Sequence, residues 1–305
     1  MRVFMGRAHP IDKRRIVAIG NFDGVHVGHQ QLLKLTIQTA KTSGCYATVL
    51  TFFPHPGQVL KGSRFFPYLT TVEERIRLLL LAGVDEVVVY PFSKAIADMD
   101  PQEFIDKVLL RELKAAATVV GFNFTFGRSG MGSTSLLKKV GQQLGFASMV
   151  VPPVTVGNLP VSSSLIRSSL QKGDLDLASQ LLGRSPALEG KVIRGQGLGH
   201  QLGFPTANIE LWPNLLLPRY GVYATRVKVR SLWYRGLTNI GLRPTFGGSK
   251  VPTVETYLLD FQEDIYGEFI RLELEKYIRP EIRFSTPEQL LEQISQDVTL
   301  ARQLK

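Results

Sequence analysis

The stretch Gly20-Asn21-Phe22-Asp23-Gly24-Val25-His26-Val27-Gly28-His29 constrains the fold more than any other part of this chain. Before it, Arg15-Ile16-Val17-Ala18-Ile19 is a short β-branched, apolar run of the kind that forms a buried strand, closed by Gly20. After it, Leu32, Leu33, Leu35, Ile37 and Ala40 give residues 30–42 the apolar face of a helix. Strand, glycine-bearing turn and helix together aim backbone N–H groups and a helix N-terminus at an anion. His26 and His29, three residues apart at that helix start, fall on one face about one turn apart. Imidazoles that titrate near pH 6.5 can donate hydrogen bonds to phosphate oxygens as charge develops on them. Asn21, Phe22, Asp23 and Gly24 complete a turn suited to polyphosphate.

The alternation continues to about residue 151. Runs at 46–52, 86–90, 118–121 and 147–151 read as strands, and stretches ending near Ala82, Leu113 and Gly145 read as helices. Asp100 caps the helix expected over 101–113. Such a pattern predicts an α/β domain with a mostly parallel sheet, whose ligand lies beyond the carboxyl ends of the strands. The loops after Gly20, Phe52 and Gly121 should therefore meet at one site. Gly183-Arg184-Ser185-Pro186 breaks the pattern, which divides the chain into domains 1–185 and 186–305. Beyond it, β-rich runs at 190–194, 220–229, 233–240, 253–261 and 269–278 suggest a small antiparallel barrel or sandwich. Thr286-Pro287-Glu288-Gln289 then opens a terminal helix as a capping box.

Composition narrows the partners. No apolar run approaches the roughly 20 residues that span a bilayer, no signal-peptide core opens the chain, and a single cysteine, Cys45, excludes an intramolecular disulfide. The cytoplasm is the expected compartment, without a membrane partner. The net charge is +10, with 21 basic against 13 acidic side chains in residues 1–185. These charges are dispersed and no arginine–aromatic interleaving appears, so nucleic acid is not the expected partner; anionic nucleotides suit the excess equally.

Four further segments carry chemistry. Asn123 between Phe122, Phe124 and Phe126 offers an amide among rings that could grip a flat heteroaromatic ligand. Ser162, Ser163, Ser164 and Arg167 place hydroxyls and a guanidinium at a helix start, as a phosphate clamp does. Gly127–Ser133 has Walker-like glycine spacing, but Ser133 stands where the lysine must be, which excludes a P-loop. In the second half, Gly195, Gly199 and Gly203 form a glycine-rich loop that can wrap phosphates with backbone N–H groups. Thr206 and Asn208 add hard oxygen ligands suited to Mg²⁺, and Glu255, in a strand pattern, is a carboxylate able to act as general base toward a hydroxyl.

Taken in order, Gly20–His29, Phe53-Pro54-His55-Pro56, 121–127 and 162–167 resemble the adenylyltransferase half of the bacterial bifunctional riboflavin kinase/FMN adenylyltransferase family. Residues 203–208, Gly221-Val222-Tyr223, 239–245, Glu255 and Asp264-Ile265-Tyr266-Gly267 resemble its kinase half. The resemblance implies an N-terminal Rossmann-like nucleotidyltransferase domain and a C-terminal six-stranded antiparallel barrel with a terminal helix. It implies that ATP phosphorylates riboflavin to FMN, and that FMN then attacks a second ATP to give FAD and pyrophosphate. By this carry-over Glu255 is the kinase base beside the flavin with Arg279, and Thr206 and Asn208 bind Mg²⁺ and phosphate. His26 and His29 act on the ATP phosphates of the other half, clamped by Ser162, Ser163, Ser164 and Arg167, with Asn123, Phe124 and Phe126 toward the flavin. Phe53 replaces the family's usual Glu, Thr125 its usual Arg and Ser164 its usual Thr. The first two changes remove charge, so a kinase with a weakened adenylyltransferase is the first alternative. A non-catalytic flavin- or nucleic-acid-binding regulator is the second. A class I aminoacyl-tRNA synthetase fragment, suggested by the histidine signature, lacks the expected lysine-rich catalytic loop.

Overall fold

In the computed structural model, residues 1–6, 13–195, 203–244 and 250–303 are described, and the chain divides into two compact units, Met1–Ser163 and Ser164–Lys305. The strands of the first unit are β1 (Arg2–Met5), β2 (Arg15–Ile19), β3 (Tyr46–Phe53), β4 (Glu86–Pro91), β5 (Ala115–Gly121), β6 (Thr125–Phe126), β7 (Gly132–Ser133), β8 (Ala147–Val151), β9 (Thr155–Val156) and β10 (Leu159–Pro160). Its helices are α1 (Val27–Thr42), α2 (Pro56–Leu60), α3 (Val72–Leu81), α4 (Lys94–Ala97), α5 (Pro101–Phe104) and α6 (Thr134–Leu144).

Six strands form one sheet in the order β1-β4-β3-β2-β5-β8, and every neighbouring pair is parallel. Both faces are covered. Val17, Ile19, Leu50 and Val88 pack with Ile105, Leu109 and Leu137, while Ile16, Ala18, Val49 and Val87 pack with Leu33, Ala40 and Leu79. That is why β2 reads as a continuous apolar run rather than an alternation. Arg15 is buried at its head because its charge is matched. Its Nε donates to Glu86 Oε2 at 2.7 Å and its Nη1 to the Leu113 carbonyl at 3.1 Å.

The helix expected over 101–113 departs from a regular α-helix. After α5, residues Ile105–Glu112 take the wider π-helical turn, and the Leu113 amide donates to the Val108 carbonyl five residues back, at 3.0 Å. Ile105, Leu109 and Leu113 recur every four residues and are all fully buried, a spacing that a turn wider than 3.6 residues keeps facing the sheet.

The second unit holds α7 (Ser163–Lys172, beginning at the division), α8 (Leu175–Leu182), β11 (Ala187–Ile193), β12 (Thr206–Leu211), β13 (Gly221–Val229), β14 (Leu232–Pro244), β15 (Lys250–Leu258), β16 (Phe269–Arg279) and α9 (Pro287–Gln303). The strands close into a barrel in the order β11-β12-β15-β14-β13-β16, with antiparallel pairing throughout. Strand β12 is not marked by the sequence pattern, which carries the glycine-rich loop through to Asn208. Its alternation is nevertheless clear: Ala207 and Ile209 are buried, while Thr206 and Asn208 are half-exposed. Inside the barrel, Thr225, Thr238 and Thr256 from three adjacent strands form a hydroxyl chain with bonds of 2.9 and 2.8 Å, so none of the three is a buried orphan. Helix α9 lays Ile294, Val298 and Ala301 on the outer residues Val222, Ala224, Leu237 and Ile278.

Thr286 caps α9, with the Gln289 amide donating to its Oγ1 at 3.4 Å, while Gln289 Oε1 accepts the amide one residue earlier, that of Ser285, at 3.2 Å. Arg279 then forks onto Asp297, Nη2 to Oδ2 at 2.7 Å and Nε to Oδ2 at 2.9 Å, with Asp297 almost fully buried. Asp297→Ala strands a largely buried guanidinium and is expected to lower the stability of the second unit by about 3 kcal/mol. An earlier urea midpoint for that unit checks it, and an unchanged midpoint contradicts it.

Candidate functional site

Between β2 and α1 the chain turns through a conformation that most side chains avoid. Phe22 has φ +49°, Gly24 φ +85° and Val25 φ +40°. A β-branched residue at positive φ costs about 1–3 kcal/mol and persists only where its surroundings over-determine it. Here they do. Phe22 is a fully buried wedge, and Asp23 is sealed beneath the turn. The Asp23 carboxylate accepts the Leu69 amide at 3.0 Å, the Thr70 amide at 3.3 Å and the Thr70 hydroxyl at 3.4 Å, with Arg75 Nη2 at 3.7 Å. Its carbonyl accepts the Ser163 hydroxyl at 2.8 Å. The Gly24 amide donates to Thr70 Oγ1 at 3.3 Å, and Thr51 Oγ1 donates to the Asn21 carbonyl at 2.9 Å. With the Phe22 and Asp23 side chains turned inward, these two residues offer a ligand their backbone.

The histidines sit on top of this platform. His26 caps α1, its Nδ1 accepting the His29 amide at 3.2 Å. A neutral ring that accepts at Nδ1 carries its proton at Nε2, so the donor points away from the helix. Gly28 eases the cap: a Cβ there would press on the His26 ring, 3.1 Å from Nδ1 and Cε1. The two imidazoles stack with centroids 3.5 Å apart and planes 13° apart, and Phe22 lies 4.9 Å from His29. His29 Nδ1 is buried without a hydrogen-bond partner in the protein. Desolvation first, then His26, then Arg75 hold its pKa well below the ordinary 6.5, so the resting ring is neutral at pH 7. A stacked imidazole pair at a helix N-terminus, with the His29 ring held neutral, is ready to donate to an incoming polyanion, which would in turn favour protonation of His29.

The remaining first-half candidates are spread along the chain. Ser163 is tied to the turn through Asp23, Ser162 is exposed in the same unit, and Ser164 and Arg167 stand on α7 in the second unit. Asn123 is exposed after β5, Phe124 is half-buried and stacks on Phe126 at 5.6 Å, and Phe126 joins the core against Phe104. Phe53, at the end of β3, packs against the Tyr68 ring at 6.1 Å, and Thr125 is exposed at the start of β6.

In the barrel, strand period two places Thr206 and Asn208 on the outer face of β12. Register sets Asn208 opposite Glu255 and Glu255 opposite Asn239, one polar row across β12, β15 and β14. Directly opposed side chains of antiparallel strands lie about 5 Å apart, so these three groups form a single patch. Gly195 leaves room for it: a Cβ there would fall 2.1 Å from Asn208 Nδ2. Gly203 is described, with φ +81°, whereas Gly199 lies outside the described residues. Thr206 also borders a cleft of about 420 Å³ lined by Val192, Pro205, Phe261, Asp264 and Tyr266. Among the described residues no cluster of three His, Cys, Asp or Glu side chains could hold a metal. The hard neutral oxygens of Thr206 and Asn208 fit Mg²⁺ of the kind whose shell is completed by substrate phosphates and water. Arg279 is held by Asp297, as described above.

Sequence reasoning passed over Tyr68 and Arg75, and gave no site role to Thr70 or, beyond its place in the 239–245 segment, to Asn239. Arg75 did leave a signal. With Val72 and Leu79 it shares the buried face of α3, a place where an arginine needs a reason.

The depressed pKa of His29 has a sign. As pH falls through about 6.5 the unfolded chain takes up a proton that the native ring refuses, so native stability is lost below that value and recovered above it. The melting temperature of the first unit should therefore fall between pH 7.5 and 5.5, and fall less in His29→Asn. Equal slopes in the two proteins contradict this.

Comparison with known proteins follows the same division of the chain. The family profile described as FAD synthetase matches residues 8–165, and that described as riboflavin kinase matches residues 182–305. A Listeria monocytogenes protein named bifunctional riboflavin kinase/FMN adenylyltransferase is 36% identical over 95% of this chain and 94% of its own. A Bacillus subtilis protein of that name is 36% identical over 93% and 90%, and one from Escherichia coli K12 is 36% identical over 94% and 92%. A crystal structure from Streptococcus pneumoniae, described as a macrolide-efflux protein, matches with TM-score 0.90 at 29% identity over 99% of both chains. Identity of this level, sustained across both halves in the same order, places the chain in the bifunctional riboflavin kinase/FMN adenylyltransferase family.

Proposed function

We propose that the chain phosphorylates riboflavin to FMN with ATP in its barrel and adenylylates FMN with a second ATP in its parallel-sheet unit, releasing pyrophosphate and FAD. The observation that carries this reading is the presence of two separate phosphate-handling constructions, each inside the segment matched by the corresponding family profile. One is the stacked His26–His29 pair over a glycine turn; the other is the Asn208–Glu255–Asn239 row on the barrel.

In the kinase step, Glu255 takes the proton from the terminal ribityl hydroxyl as that oxygen bonds to the γ-phosphorus of ATP and ADP departs. Thr206 and Asn208 would hold Mg²⁺, which when bound neutralises charge on the transferring phosphate. Gly195 and Gly203 lend backbone to the same phosphates. In the adenylyltransferase step, a phosphate oxygen of FMN attacks the α-phosphorus of ATP and the bond to pyrophosphate breaks. No proton need be abstracted from an ionised phosphate, so the protein's task is to stabilise charge. His26 donates from Nε2 and His29 beside it, while the α1 N-terminus faces the same oxygens. Ser162, Ser163, Ser164 and Arg167 are assigned to clamping the triphosphate, and Asn123 to the flavin or base. Among the described residues no helix is long and apolar enough to cross a membrane.

Incubating the protein with riboflavin, ATP and Mg²⁺ and resolving flavins by chromatography should yield FMN and then FAD. FMN without FAD would instead select the weakened-adenylyltransferase alternative. His29→Ala is expected to slow FAD formation by about 100-fold or more and leave FMN formation unchanged. Glu255→Gln should slow riboflavin phosphorylation by roughly 10²–10⁴-fold while supplied FMN is still converted to FAD. An intact phosphorylation rate in Glu255→Gln would remove Glu255 as the base.

A further inference from the structure

A buried arginine below the histidine turn is not used in either step above. Arg75 is almost fully buried on α3 and touches three separate parts of the first unit. Its Nη1 donates to the Phe52 carbonyl near the end of β3 at 3.3 Å, its Nη2 lies 3.7 Å from Asp23 Oδ1 under the turn after β2, and its guanidinium carbon sits 5.8 Å from the Tyr68 ring centroid. Tyr68 is itself a tie: its hydroxyl accepts the His55 amide at 2.7 Å and donates to Gln58 at 2.9 Å, fixing the loop that follows β3. The loops after β2 and β3, which must converge for a ligand beyond the carboxyl ends of the sheet, thus share one side chain.

We propose that Arg75 is a positioning residue for adenylyl transfer, joining the β2 turn, the end of β3 and the Tyr68 loop so that His26 and His29 are held in register with the phosphates of ATP. The inference rests on the adenylyltransferase reading above. A buried arginine could equally have been met by an apolar surround and a distant carboxylate at the protein surface. Instead it faces the carboxylate that pins the strained turn, with Thr70 and Leu69 amides filling that carboxylate's other lone pairs. Asp23, His26 and His29 face this region from the turn and α1, and Tyr68 and His55 face it from the loop after β3. Glu74 and Arg77, its neighbours on α3, pair with each other at 2.5 Å. The positive charge of Arg75 also acts on the His29 ring and, after desolvation and His26, helps keep it unprotonated. The position of the histidine pair and the charge state of His29 thus depend on the same group.

The test uses the full-length protein, Arg75→Gln and Arg75→Lys, with phosphorylation of riboflavin in the second unit as the internal control for protein concentration and the melting transition of the first unit as the control for folding. For Arg75→Gln, FAD formation from FMN and ATP should fall in kcat by roughly 10–100-fold, with a smaller change in KM for ATP and an unchanged rate of FMN formation. The His29 imidazole, followed by NMR in histidine-labelled protein and assigned with His29→Asn, should titrate at higher pH in Arg75→Gln than in the wild type. Arg75→Lys should restore the titration and much of the rate. Wild-type FAD formation in Arg75→Gln would overturn the proposal, as would an unmoved His29 titration. Loss of the first unit's melting transition in both variants would also overturn it, because it assigns Arg75 to stability alone. A wild-type protein that makes no FAD would refute the adenylyltransferase reading instead, and the imidazole titration separates the two because it needs no turnover.

Discussion

A carboxylate taken out of water costs several kcal/mol unless its lone pairs are filled, and the first unit is built around one that is. Asp23 is fully buried, yet two amides, a hydroxyl and a guanidinium surround it. Those contacts fix the positive φ values of Phe22 and Val25, and that backbone places the α1 N-terminus and its two imidazoles. Ser163 closes the set from far along the chain by donating to the Asp23 carbonyl. The turn is therefore shaped by the protein's own buried contacts, and strain concentrated at a pre-organised site is a common accompaniment of function.

The barrel reaches a comparable end by register rather than by strain. Antiparallel pairing puts Asn208, Glu255 and Asn239 side by side on adjacent strands, and the inner face of β15, β14 and the next strand, β13, is closed by the Thr225–Thr238–Thr256 hydroxyl chain. A one-residue slip would exchange the two faces, placing Glu255 inside and Thr256 outside. The penalty for burying an unpartnered carboxylate thus protects the register on which the outer row depends. Beside that row on the outer surface, where Val222 of β13 pairs with Asn239, α9 is secured by apolar contacts and by the Arg279–Asp297 fork.

The two units also differ in how they treat charge. Most of the excess positive charge lies in residues 1–185, but at the histidine turn the structure withholds it: His29 is kept neutral by desolvation, by His26 and by Arg75. A neutral His29 avoids charge repulsion with the stacked His26 ring and with Arg75 in the resting protein. Its capacity to take up a proton then remains available to a bound polyanion, whose charge shifts the balance toward the imidazolium.

Much of this was legible in the amino-acid order alone. Strand-length apolar runs alternating with amphipathic helices specify a parallel sheet, and His26 and His29 on one face of a helix start follow from helical spacing. Short β-rich runs after Pro186 specify an antiparallel second domain. Local periodicity carries those features because burial acts on each element separately. The wide turn over Ile105–Glu112, the strand character of Thr206–Leu211 and the partnership of Arg75 with Asp23 were not legible in the same way. Each depends on a neighbour distant in sequence: the sheet that the 105–113 segment must face, the β15 strand that pairs with β12, and a turn some fifty residues away from α3. What the sequence determined was which residues could serve phosphate chemistry; which of them meet, and in which protonation state, was decided by tertiary packing, because desolvation and charge act across space and not along the chain.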